Sequence, residues 1–276
     1  MIDLQTFWHK TLKRPYRLHT EFHGDPTRPA IVFIHGIAAS GDDWSTFIPS
    51  FEQDYYCITI DLLGFGDSPK PTWCEYTMQE HTSSLFHTIN KLTLNQDFIL
   101  MGHSLGSFLA ARYAHEHQAN LTRLFLLSPP VYPQLDTIKK PTTRRLTGLL
   151  LTVYKLLRND RMTPATFKRL SRILPLPKRV ITHPDTWVPF MLTLQHCIEQ
   201  QTILEDIATI TVPTEVFYGS LDQVVINANV ELLGTNPNTR LHNFIGTHEL
   251  TKRYGKLVAK ILTQQTTHTS SVERRS

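Results

Sequence analysis

A serine hydroxyl attacks a carbonyl only when a base takes its proton and an acid orients that base. Three short stretches of this 276-residue chain offer those residue types in a consistent setting. Gly102-His103-Ser104-Leu105-Gly106 fits G-x-S-x-G, follows the apolar run from Phe98 to Met101, and opens the helix-like stretch from Leu105 to Ala114. The pattern needs a sharp strand-to-helix turn that exposes the serine, with glycines where a Cβ would clash. From the chain's own 12 glycines and 14 serines, about 0.03 chance matches are expected. Ser104 is the candidate nucleophile.

Two later loops offer the partners. Gly219-Ser220-Leu221-Asp222 and Gly246-Thr247-His248-Glu249 each follow a strand pattern, at the strand ends where open α/β sheets bind ligands. His248 is the candidate base by position among the 14 histidines; His242 is its rival but sits inside a strand pattern. Asp222 is the candidate acid, with Asp136 the alternative, since either loop could reach the imidazole. Acyl transfer also needs donors for a developing oxyanion. The backbone N–H groups of Ile37, in the loop after the strand ending at His35, and of Leu105 are the candidates. His35 is expected to hold that loop through its ring. Asp61–Ser68 contains G-x-G without a third glycine, and reads as a buttressing turn rather than a dinucleotide site.

These residues need a scaffold. Strand candidates are Ala30–His35, Tyr55–Leu62, Phe98–Gly102, Arg123–Leu127, Thr214–Tyr218 and Arg240–Phe244. Several are apolar on consecutive positions, as in strands covered on both faces. Helical patterns at Glu75–Leu92, Leu105–His117, Val225–Leu233 and Leu250–Leu262 alternate with them, which predicts a doubly wound, mostly parallel α/β sheet. About 80 residues of helical signal separate the strand ending near Leu127 from the one starting at Thr214. The expected organisation is a core over 1–130 and 211–265, a helical cap over 131–210, and a flexible tail over 266–276. Within the cap, Leu146, Leu149, Leu150, Val153 and Leu157 recur at helical spacing, with Arg144, Gly148, Thr152 and Lys155 opposite. This reads as a lid helix with its leucines toward the active site; the sharper alternative is an interfacial helix on an anionic membrane or an anionic substrate. Tyr154, Phe167, Trp187 and Phe190 fit either an apolar acyl pocket or the cap's own packing.

Composition narrows the class. With 41% hydrophobic and 19% charged residues, the chain is neither disordered nor fibrous. Three widely spaced cysteines support neither a disulfide framework nor a zinc site. No secretory signal or membrane-spanning run is visible, so the cytoplasm is the default location. Residues 139–183 carry 12 Lys+Arg and one acid, a local +11, while the formal net charge is +4. A nucleic-acid binder would more often be basic across the whole domain, and no nucleic-acid partner is expected.

The ordered blocks HGIAAS (35–40), DLLGFGDSPKP (61–71), GHSLGS (102–107), VPTEVFYGSLDQVV (212–225) and GTHEL (246–250) resemble the α/β-hydrolase family over about residues 17–262. Capped carboxylesterases and monoacylglycerol-lipase-type enzymes look most similar. The resemblance implies the α/β-hydrolase fold with an inserted helical cap, and a nucleophile–acid–base order of Ser104, Asp222 and His248. It also implies an oxyanion hole at Ile37 and Leu105, no metal or organic cofactor, and a small-molecule ester substrate. Thioester and carbon–carbon bond hydrolysis use the same triad, and a non-catalytic receptor could use the same fold. Haloalkane dehalogenases and epoxide hydrolases carry Asp where this chain has Ser104. A monomer or weak homodimer is expected.

Overall fold

The computed structural model describes residues 7–92, 94, 97–159, 162–170 and 184–273. Among the described residues, seven strands form one sheet: β1 (Thr20–His23), β2 (Ala30–Ile34), β3 (Tyr56–Ile60), β4 (Phe98–His103), β5 (Leu121–Leu127), β6 (Thr214–Gly219) and β7 (Thr239–Phe244). Their spatial order is β1-β3-β2-β4-β5-β6-β7. Every pair is parallel except β1 with β3. The six strands expected from the sequence are all present. β1 was not expected: its four residues, TEFH, are partly or fully exposed, and an edge strand with no apolar run leaves no periodic signal.

The continuous apolar strands have a physical cause. Alternate side chains point to opposite faces, and both faces are covered. Val32 and Ile34 of β2 join Ile58, Ile60, Leu85 and Leu109 in one core. Ile31 and Phe33 join Trp44, Phe47, Tyr254 and Val258 in the other. α1 (Met78–Lys91) and α2 (Leu105–His117) pack in the first layer. A reciprocal capping box between Thr77 and Glu80 sets the start of α1, by satisfying N–H groups that have no acceptor inside the helix.

Between β5 and β6 lie α3 (Pro141–Leu157), α4 (Pro164–Leu170), α5 (Trp187–Thr193) and α6 (Ile203–Ala208). Residues 160–161 and 171–183 of the expected cap lie outside the described residues. The inward face of α3 overlaps the expected one only in part, with Leu150 and Val153 half-buried against the core. Thr143, Thr147 and Leu157 are buried, while Leu146, Leu149 and Leu156 are 47%, 61% and 60% exposed. Polar anchors explain the rotation. The Asn229 amide donates to Thr147 Oγ1 (3.0 Å) and to the Val131 carbonyl (2.9 Å), and the Tyr154 hydroxyl meets that of Tyr132 (3.0 Å). Held by its threonine and tyrosine side, the helix turns three leucines outward.

Phe167, Trp187 and Phe190 pack on one another, with ring centroids 5.4 to 6.4 Å apart. Phe167 and Phe190 belong to the first core, and Trp187 packs against it. After β6 come α7 (Asn227–Val230) and α8 (Lys252–Glu273). α8 continues into the stretch read from the sequence as a flexible tail.

Candidate active site

The turn between β4 and α2 is forced by its glycines. A Cβ on Gly102 would lie 2.1 Å from the Gly106 carbonyl oxygen, and one on Gly106 would lie 2.2 Å from that of Ile34. Both are steric overlaps, so only glycine permits this close a strand–helix approach. Between them Ser104 sits at φ 54°, ψ −119°, a conformation that costs a non-glycine residue about 1–3 kcal/mol. The surrounding bonds hold it there: Ser104 N–H donates to Leu127 O (2.9 Å), and Ser107 Oγ–H reaches the carbonyls of Gly102 and Leu127.

His248 stands beside this turn. Its ring centroid is 4.9 Å from that of His103, the residue before Ser104, and His103 Nε2–H donates to the His248 carbonyl (2.9 Å). That bond puts the His103 proton on Nε2. Burial, reinforced by the nearby His248, lowers the His103 pKa to about 3, so this ring is neutral near pH 7. His103 was not anticipated as a site residue, because the middle positions of G-x-S-x-G carry no side-chain requirement.

His248 Nδ1 lies 2.8 Å from Asp222 Oδ2. The other carboxylate oxygen, Oδ1, accepts from the N–H groups of Val224 (2.9 Å) and Val225 (3.1 Å). Burial works to raise the Asp222 pKa, but His248 and the two N–H donors outweigh it and the net shift is downward. The rival residues lie elsewhere. His242 pairs with Glu215 at 2.5 Å, and Asp136 is exposed in a turn.

The loop after β2 lies against the serine: a Cβ on Gly36 would meet Ser104 Cβ at 3.1 Å. His35 holds this loop as expected, since its Nε2 accepts from Leu62 N–H (2.9 Å) and Nδ1–H therefore donates to Gly36 O (2.7 Å). Ile37 follows Gly36 in this loop. Leu105 is the first residue of α2, where an N–H has no acceptor inside the helix. The Asp61 turn is a brace: its carboxylate accepts from Gly41 and Asp67 N–H groups (2.6 and 2.8 Å) and meets His19 at 3.2 Å. His19, Asp61 and Asp67 cluster closely enough to consider a cation, but the Asp61 oxygens already serve these backbone bonds.

A family model described as alpha/beta hydrolase fold matches residues 29–146. The chain has the α/β-hydrolase fold, and over that stretch its sequence is similar to the family of that name. An esterase from Exiguobacterium antarcticum superposes on this chain with a TM-score of 0.68, covering 90% of this chain and 94% of that one at 22% identity, a likeness of fold. Among curated relatives, "Probable lysophospholipase BODYGUARD 1" of Arabidopsis thaliana is 37% identical over 37% of this chain and 23% of its own length. Monoacylglycerol lipase abhd6-B of Xenopus laevis is 22% identical over 79% of this chain and 69% of its own. The matched region thus spans about a quarter of the first curated relatives. Among the described residues, no helix is long and apolar enough to cross a membrane.

Tyr132 is a second residue the sequence did not flag. Its hydroxyl donates to the Val224 carbonyl (2.7 Å), so its remaining contact, 3.0 Å to Tyr154, is a bond donated by Tyr154. Val224 in turn donates to Asp222, and Tyr132 thereby clamps the loop that carries the carboxylate. Tyr132→Phe is expected to lower kcat for a soluble ester about tenfold, leave KM nearly unchanged, and cost about 1–2 kcal/mol of stability through the unpaired carbonyl. Tyr154→Phe spares that carbonyl and should cost less in both. Parallel kinetics and thermal melts check the order.

Proposed function

We propose that this α/β hydrolase is a serine ester hydrolase acting through an acyl-enzyme intermediate. The observation that carries the reading is Ser104 held at positive φ at the end of β4, with the His248–Asp222 pair on the loops after β7 and β6 beside it. His248 Nε2 accepts the Ser104 Oγ proton as Oγ attacks the acyl carbonyl. The N–H groups of Ile37 and Leu105 receive the oxyanion, a contribution of about 3–4 kcal/mol per donor in comparable sites. Asp222 holds Nδ1–H and stabilises the imidazolium. His248 then protonates the leaving alcohol, and the acyl-enzyme forms. Water enters, gives its proton to His248, and attacks the acyl carbon; Ser104 Oγ recovers that proton as the carboxylic acid leaves. The scheme needs neither metal nor organic cofactor.

Relatives named lysophospholipase and monoacylglycerol lipase support an ester of an acyl chain as the substrate class. The three cysteines are buried and unpaired, which supports a reducing compartment such as the cytoplasm. Hydrolysis of p-nitrophenyl esters from acetate to palmitate tests the reading. Turnover is expected with a chain-length optimum that sizes the acyl site. Folded protein inert toward the whole series would overturn it.

A further inference from the structure

The outward face of α3 is apolar. Leu146, Leu149 and Leu156 fall within one stripe of the helix, all exposed to 47% or more, with half-buried Val153 between them. Leu135, 39% exposed, lies 3.7 Å from the position of a Cβ on Gly148 and extends the apolar area past the helix. Arg145 and Lys155 are exposed on the same helix, and Lys139 and Lys140 are exposed just before it. Exposed leucines in a row, rimmed by cations, are the reverse of an ordinary solvated face, where apolar groups turn inward.

Charge selects the occupant. Residues 139–183 hold +11 on a chain whose total is +4, a charge that an anionic, apolar partner would complement. A second copy is disfavoured on the same ground. A two-fold contact places the same patch on both subunits, which would bring one cationic patch against another. An anionic bilayer meets both demands, taking leucines into the acyl boundary while headgroups neutralise the cations. We infer that α3 docks this protein on anionic lipid surfaces through Leu146, Leu149 and Leu156, with Arg145 and Lys155 at the headgroups. The inference rests on exposure and charge, not on the serine chemistry.

Co-sedimentation with phosphatidylcholine vesicles, with and without phosphatidylserine, tests it. The wild-type chain should bind the phosphatidylserine vesicles at low salt, bind much less at high salt, and bind pure phosphatidylcholine weakly. Leu149→Asp/Leu156→Asp should lower the bound fraction about tenfold, and Arg145→Gln/Lys155→Gln should weaken only the phosphatidylserine-dependent part. Both double variants should keep the circular dichroism spectrum and the wild-type rate on any soluble ester the protein turns over. Ser104→Ala should bind vesicles like wild type, which separates this proposal from the catalytic one. Failure of the wild-type protein to bind phosphatidylserine vesicles at low salt overturns the inference, as does undiminished binding by the leucine variant. A dimer in sedimentation velocity that the leucine variant abolishes, without vesicle binding, would also overturn it and assign the face to a second copy.

Discussion

Ser104→Ala is expected to lower kcat for ester hydrolysis by a factor on the order of 10^5 to 10^6, the loss seen when the nucleophile of a complete triad is removed. The substitution removes the hydroxyl and leaves the turn intact. Ser104 N–H, which donates to Leu127 O, is retained in alanine, and the Ser107 bonds that brace the turn do not involve the Ser104 side chain. Ser104→Gly should be as inactive and more stable, by about 1 kcal/mol, because glycine adopts φ 54° without the penalty that serine carries. Single-turnover assays with a p-nitrophenyl ester, alongside thermal melts of both variants, read the two effects separately. Activity within tenfold of wild type in Ser104→Ala would reject the nucleophile assignment.

Asp222→Asn should reduce kcat about 10^4-fold, as in triads where the orienting acid loses its charge, and the hydrogen bonds show why the change is so costly. Val224 and Val225 N–H groups both point at Oδ1, so the amide of an asparagine must place its oxygen there. Its NH2 then faces His248 Nδ1. That forces Nδ1 to accept and moves the ring proton to Nε2, the nitrogen that must take the serine proton. A residual rate within tenfold of wild type would instead place the acid elsewhere.

The native carboxylate also links stability to pH. Its folded pKa lies below the ordinary aspartate value, so the ionised form is favoured by folding. That contribution is fully present above the unfolded value and is lost as the pH falls through the depressed one. Wild type should therefore lose stability on acidification below about pH 4 more steeply than Asp222→Asn, which urea melts at successive pH values would show.

Much of the site was legible without coordinates. Each strand-end motif, at Gly36, Ser104, Asp222 and His248, combines a strand pattern with a residue type whose chemistry is local, and local patterns survive in one dimension. Tertiary structure decided what depends on contacts between distant segments. Asp222 and Asp136 follow neighbouring strands in similar settings; only the register of β6 against β7 and the geometry of the turn bring Asp222 to His248 and leave Asp136 in solvent. Tyr132 matters through Val224, 92 residues away, and His103 through the carbonyl of His248, 145 residues away. No spacing rule reports such pairs. The facing of α3 is the clearest case. Periodicity fixes which residues share a side of a helix, but not which side turns inward. Hydrogen bonds from Asn229 to Thr147 and between Tyr154 and Tyr132 lie on the side that turns inward, where each polar group left unpaired would cost about 1–3 kcal/mol.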